Sequence, residues 1–292
     1  MSSIVKKLNK AGLFTPKEEF VTDTVYEVLM GSVAYGVSND TSDVDVYAVT
    51  VPPKTMVFPH LTGHIHGFGS APKNFEVYQK HHMQKDEKEY DVAVYSLIKY
   101  FDLCAQNNPN MLDSLFVPDR CVLHMTDVGQ HMRSHRKMFL SKQVFNKLRG
   151  YAFGELKKLS TYKPEANAKR TKSFEKFGYD VKSGYHVVRL MREAEQILQE
   201  GDLDLELSRE QLKAVRRGEW TLEQLTEWFH AKEKTLDLLS TQSSLPVKAD
   251  YGKLRTLITE CLEIHYGSLD FALNTDPGLV EKFKRIKKIV EE

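Results

Sequence analysis

Gly31-Ser32-Val33-Ala34-Tyr35-Gly36-Val37-Ser38-Asn39-Asp40-Thr41-Ser42-Asp43-Val44-Asp45-Val46 carries the strongest structural signal in the chain. It joins two β-like runs. Ahead of it, residues 24–30 (TVYEVLM) are apolar and β-branched and stop at Gly31-Ser32, as a buried strand ending in a turn does. Behind it, Val44 to Val51 (VDVYAVTV) alternates and is closed by Pro52-Pro53, which predicts a second strand. Asp43 and Asp45 are two apart on that strand, so both carboxylates leave the same face. Such a pair repels itself unless a cation lies between the two. Mg2+, a hard ion that takes oxygen ligands and keeps positions open for water and phosphate, suits that place. Gly31 and Ser32 allow close backbone approach to a polyphosphate, with N–H groups and a hydroxyl as donors.

Residues 90–95 (YDVAVY) predict a third strand, and it brings Asp91. Holding two metal ions about 3.5–4 Å apart for in-line phosphoryl transfer requires a third carboxylate. Asp91 is the best-placed candidate: it would bind the ion that activates the attacking hydroxyl, while Asp43 and Asp45 bridge both ions. Asp-x-Asp alone is common on solvated strand edges, and Gly-Ser alone is only a turn. Their ordered combination, with eleven residues from Ser32 to Asp43 and a later strand Asp, points to nucleotidyl transfer.

The chain has 292 residues, 41% of them hydrophobic and 28% charged, which is enough for one large domain or two packed ones and excludes low-complexity or collagen-like chains. Cys104, Cys121 and Cys261 are odd in number and far apart, which excludes a disulfide framework and a zinc ribbon. No apolar run is long enough to cross a membrane, and Met1 to Lys10 (MSSIVKKLNK) lacks the features of a secretory signal. The sequence therefore reads as a soluble protein of a reducing cytoplasm, and nothing in it specifies an oligomeric state. The net charge of +1 hides an asymmetry: residues 131–192 carry 16 Lys and Arg against 4 Asp and Glu, leaving −11 on the other 230 residues. A segment so basic fits either a polyanionic partner or a solvated helical face that pairs with acidic segments elsewhere in the fold.

Residues 54–89 read as a loop-rich insertion with one strand at 75–79. Its His64, His66, His81 and His82 lack the spacing of a closed tetrahedral set, so solvent-facing histidines are the expectation. Tyr35 and Tyr95 are candidates for base stacking, although core packing is the commoner fate of such residues. Ser96 can cap a helix over 97–106, followed by a short helix at 111–116 and a last strand at 121–125. Helices are then expected at 127–137, 142–159, 181–200, 209–217, 222–239 and 251–265, with Asp180 as a cap and Thr221/Gln224 as a capping box. The polar stretch 161–178 reads as a loop, and 282–288 as a basic helical tail. The expected class is α+β: a small mixed β-sheet catalytic domain over 1–126, then an all-helical domain over 127–292.

These features resemble the DNA polymerase β-type nucleotidyltransferase superfamily, whose motif is hG[GS], then Dh[DE]h, then a third acidic strand. The chain resembles more closely the nucleotidyltransferases associated with RNA repair, the RlaP-type group. The matching blocks are GSVAYGVSNDTSDVDVYAVTVPP (31–53), DVAVYSLIKYFDLCAQNNPNMLDSLF (91–116), FLSK (139–142), GYAFGELKKL (150–159) and YDVKSGYHVVRLMREAEQIL (179–198). The resemblance implies a metal-dependent enzyme using two Mg2+ ions, or Mn2+. It would move a nucleoside monophosphate from a nucleoside triphosphate to an acceptor hydroxyl at an RNA end, of tRNA or nicked RNA, lying along 131–192. Gly31, Ser32 and Ser42 would bind the nucleotide. Lys182, His186 and Arg189 match recurrent positions of the group and share one helix face at i, i+4 and i+7. There Lys and Arg would neutralise the triphosphate and His would bond a base or phosphate; a merely solvated polar face is the other reading. Transfer to a protein side chain and a catalytically idle RNA- or nucleotide-binding module are the competing functions.

Overall fold

A computed structural model describes residues 3–38, 43–70, 72–161, 168–269, 285–286 and 289–290. Five strands form one sheet: β1 (Thr24–Leu29), β2 (Val44–Thr50), β3 (Val77–Lys85), β4 (Lys88–Ser96) and β5 (Val122–Met125), in the order β3-β4-β2-β1-β5. Only β2 and β4 run parallel; β1 pairs antiparallel with β2 and β5, and β3 with β4. The sheet is therefore mixed, and its parallel pair lies near the centre.

Alternation divides the residues of β2 and β4 between two cores. Val46, Ala48, Val92 and Val94 pack with Val5, Leu8 and Phe14, from and just beyond helix α1 (Ile4–Lys10). Glu27 is fully buried on β1, and the Ile4 amide donates to its Oε2 at 2.9 Å while the Ser3 and Thr24 hydroxyls bond its Oε1. Donors at the first turn of α1 thus compensate a carboxylate that would otherwise be costly to bury. The opposite face of the sheet presents Tyr47, Val49, Ala93 and Tyr95 to a larger apolar cluster that runs on into the helices. Asp45 and Asp91 fall on this second face by the same period of two.

Between the strands lie two single turns, α2 (Gly31–Ala34) and α3 (Lys54–Val57), and the helices α4 (Leu97–Ala105) and α5 (Pro109–Phe116). Beyond β5 the described chain is helical: α6 (Asp127–Ser134), α7 (Gln143–Thr161), α8 (Ala168–Phe177), α9 (Val181–Glu200), α10 (Arg209–Arg216), α11 (Leu222–Gln242) and α12 (Tyr251–Tyr266). The α+β class stands as expected. Helix α9 is the centre of this half; it buries Val187, Val188, Leu190, Met191, Ala194 and Ile197 and packs against α7, α10 and α11. The expected caps are present: Ser96 accepts from Lys99 N at 3.1 Å and Asp180 from Lys182 N at 3.1 Å, and Thr221 with Gln224 closes a capping box.

Three expectations change. The strand placed at 75–79 is the longer β3, which turns at Asp86-Glu87 into β4. Within the stretch taken as a loop, residues 168–177 form α8. Its Ala, Lys, Arg and Glu content favours helix, and Phe177 anchors it by filling the space against Gly218 that a Cβ would occupy. Helix α6 stops at Ser134, and Arg136–Phe139 is a separate tight turn. Most of the tail at 282–288 lies outside the described residues. Cys104, Cys121 and Cys261 are buried free thiols, and no helix among the described residues is long and apolar enough to cross a membrane.

Candidate active site

Asp45 and Asp91 are register partners in the parallel pair β2 and β4. Both are half-buried; Asp43, expected on the strand, is the exposed residue just ahead of it. Burial raises the Asp45 carboxyl above its usual range, and the charges of Asp91 and Asp43 push it the same way. Lys182 and His81 oppose that rise, so both act on the same carboxylate. The three acidic residues thus form one cluster of negative charge, which Lys182, in the first turn of α9, partly offsets at Asp45.

The glycine of the Gly-Ser turn serves this cluster directly. Gly31 has φ +62° and starts α2, and a Cβ there would collide with Asp45 Oδ2. Only glycine combines that backbone with so close an approach. The Met30 amide donates to the Asp45 carbonyl at 2.8 Å, fixing the turn against the start of β2. Ser32 is half-buried beside Gly31 in the same turn, and its carbonyl accepts from Val37 N at 3.0 Å. Ser42 lies outside the described residues.

The cluster extends onto β3, where the sequence predicts only solvent-facing histidines. The pairing of β3 with β4 slips between Lys80 and Met83, so His81 and His82 both stand across from Asp91 in a bulge. His82 has φ +56°; its amide donates to Asp91 Oδ1 at 2.7 Å and its Nδ1 lies 2.6 Å from Glu89 Oε1. That hydrogen bond to Glu89 raises the His82 imidazole and lowers the Glu89 carboxyl. Ligand atoms of His82, Glu89 and Asp91 lie within 4.8 Å of one another, a span suited to one shared cation. No spacing signal links His82 to Asp91 until the hairpin brings them together. His64 and His66 are exposed and lie outside β3 and β4 in the chain.

The trio on α9 divides. Lys182 faces the acidic cluster. His186 is half-buried, with its ring 5.0 Å from that of Tyr185. Arg189 is buried: its guanidinium hydrogen-bonds Asp113 and the Tyr35 hydroxyl, and reaches Glu193 Oε1 at 3.3 Å. Tyr35 in turn donates to Asp113 Oδ2 at 2.5 Å. Both Tyr35 and Tyr95 are core residues. Burial, then Tyr95, Asp45 and Asp113, raise the Tyr47 hydroxyl while Arg189 opposes. Arg189 ties α9 to the residue that ends the Gly-Ser turn, and so helps set where Lys182 stands.

A divalent cation fits this site on the evidence of the carboxylates themselves: Asp45 is partly desolvated beside two other acids, an arrangement a cation relieves. No match is found among curated proteins. One solved structure similar to this chain is a nucleotidyltransferase-like protein from Exiguobacterium sibiricum 255-15, at 12% identity and a TM-score of 0.31, over 88% of this chain and 80% of that one. Residues 6–247 match the model of a family described as RlaP, RNA repair pathway DNA polymerase beta family, and the chain therefore belongs to that family, whose membership implies an activity of the nucleotidyltransferase type.

Proposed function

We propose that the protein transfers a nucleoside monophosphate from a nucleoside triphosphate to a hydroxyl at an RNA end, with release of pyrophosphate. The observation that carries this reading is the in-register pair Asp45 and Asp91, joined by Asp43, with Lys182 opposite. Residues 1–126 are the catalytic part and 127–292 the helical part. Asp43, Asp45 and Asp91 would hold two Mg2+ ions, or Mn2+, which would polarise the α-phosphate and ease deprotonation of the acceptor hydroxyl.

The other residues bind and orient. Gly31 and Ser32, with Ser42, offer donors to the phosphates. Lys182 neutralises charge that builds on the departing pyrophosphate. His186, one turn along α9, bonds a base or a phosphate. Arg189 acts through Tyr35 and Asp113 as a positioning residue that keeps α9 aligned with the Gly-Ser turn. The acceptor oxygen bonds the α-phosphorus as the bond to the β-phosphate bridging oxygen breaks, and the acceptor proton leaves to solvent. The basic segment supports an RNA acceptor, although part of its charge pairs within the protein, as Lys137 does with Asp202 and Arg149 with Glu233.

The test is incubation with each NTP labelled at the α-phosphate, Mg2+ and an RNA pool. Label is expected in RNA and absent with Asp43→Asn or Asp45→Asn. Label on protein alone, or full turnover by both variants, overturns the proposal.

A further inference from the structure

Helix α7 exposes its backbone in the middle of its length. Gly150 and Gly154 are four apart, hence on one face, and a Cβ at either would meet nothing within 4 Å. Glycine is among the least favourable residues in a helix interior. The contrast is Gly184 of α9, where a Cβ would press into Tyr179 and Leu225, so packing demands the glycine. Nothing among the described residues demands Gly150 or Gly154. On the same face lie Lys147 and Lys158, both exposed, and Tyr151, which is 51% exposed.

This face borders a cavity of about 190 Å3 whose wall includes Tyr151 and Glu155 of α7, Asn108 and Asn110 at the start of α5, and His186 and Arg189 of α9. The cavity thus begins one helical turn beyond Lys182, the residue that faces the acidic cluster.

We propose that this bared face of α7 and the cavity beside it bind a single-stranded segment of the acceptor RNA. Tyr151 stacks a base, Lys147 and Lys158 flank its phosphates, and the strand backbone packs against Gly150 and Gly154. The cavity receives the adjacent nucleotide, with amide groups at Asn108 and Asn110 for its base edge. A sequence-tolerant platform of this kind combines an aromatic stack with basic flanks. The inference rests on the RNA-acceptor reading and deepens it.

The experiment uses the full chain, a fluorescein-labelled single-stranded oligoribonucleotide without metal, and a fluorescent ATP analogue with Mg2+. The double variant Gly150→Gln/Gly154→Gln should melt higher, by about 1–2 °C for each substitution, because glutamine favours helix and meets no neighbour. The same variant should bind RNA about tenfold more weakly or worse, with a far smaller change for the ATP analogue. Tyr151→Ala should weaken RNA binding comparably, and its exposure keeps the fold out of question if the double variant fails to fold. RNA affinity retained by Tyr151→Ala, or by a stabilised double variant, overturns the inference and leaves the RNA-acceptor reading standing. Loss of the ATP analogue in place of RNA overturns it by assigning the cavity to the incoming nucleotide. Wild-type protein that binds no RNA at low salt overturns both.

Discussion

Asp45 and Asp91 stand side by side on neighbouring parallel strands, 46 residues apart in sequence and in direct register. The sheet places them on the face turned toward the helical half, where Lys182 is the cation that acts on Asp45. Pairing two acids in a partly desolvated place costs the free protein stability and creates a demand for positive charge.

Replacing Asp45 by Asn should therefore move stability and activity in opposite directions. In EDTA the Asp45→Asn variant should be more stable than wild type, by about 1 kcal/mol or less, because one member of a repelling group is neutralised without loss of shape. Nucleotidyl transfer should fall by about a hundredfold or more. Thermal melts beside label incorporation check both, and a destabilised variant would contradict the electrostatic account of the site.

Gly31 has two independent reasons to be glycine, its φ of +62° and the Asp45 carboxylate in the place of a Cβ. The Gly31→Ala variant should lose about 1 kcal/mol or more of stability, and transfer should fall further than the melt accounts for, since Asp45 must shift. The check is a denaturant titration paired with turnover measured well below the melting temperature.

The bulge at His81 and His82 sets a separate test of metal choice. The His82 imidazole meets Glu89 and its side chain is 79% exposed, so the fold does not depend on it. His82→Ala should leave the melt unchanged and weaken Mn2+ about tenfold, with a smaller effect on Mg2+, since imidazole suits borderline ions better than hard ones. Counting free Mn2+ by electron paramagnetic resonance reads this directly; equal loss of both ions would assign His82 a role in holding Asp91 alone.

Much of this arrangement was legible in the amino-acid sequence, and what was not has physical reasons. β2 announced itself through alternation closed by Pro52-Pro53, and α9 through its apolar period and the Asp180 cap. Only the start of β3 was legible, because it is an edge strand of mostly exposed residues whose inward side, at Tyr78 and Met83, is put out of step by the bulge at His81 and His82. Its hairpin turn places Asp86 and Glu87 at positive φ, where glycine or asparagine is the usual signal. Asp43 and Asp45 were read as strand neighbours; the strand begins at Val44, so Asp43 keeps the freedom of a loop residue. The burial of Arg189 was beyond local patterning, because its partners Asp113 and Tyr35 are 76 and 154 residues away.

That buried network gives a pH dependence whose sign can be worked out. Glu193 is 5% exposed and its Oε2 has no partner; burial, with Asp113 adding to it and Arg189 opposing, raises its carboxyl well above the usual range. A folded-state pKa above the unfolded one means that the native protein holds this proton more tightly. The resulting stabilisation is complete below the unfolded pKa, near 4.5, and is lost as pH rises from there toward the folded value. Glu193→Gln removes the proton from the balance while keeping the shape and the contact to Arg189 through the amide oxygen. The variant should match wild type near pH 4 and gain on it as pH rises, by about 1–3 kcal/mol near neutrality. Urea unfolding at several pH values measures the gap. A gap that is constant across pH 4–8 would mean that Glu193 is ionised throughout in the folded state and that Arg189 compensates both carboxylates at once.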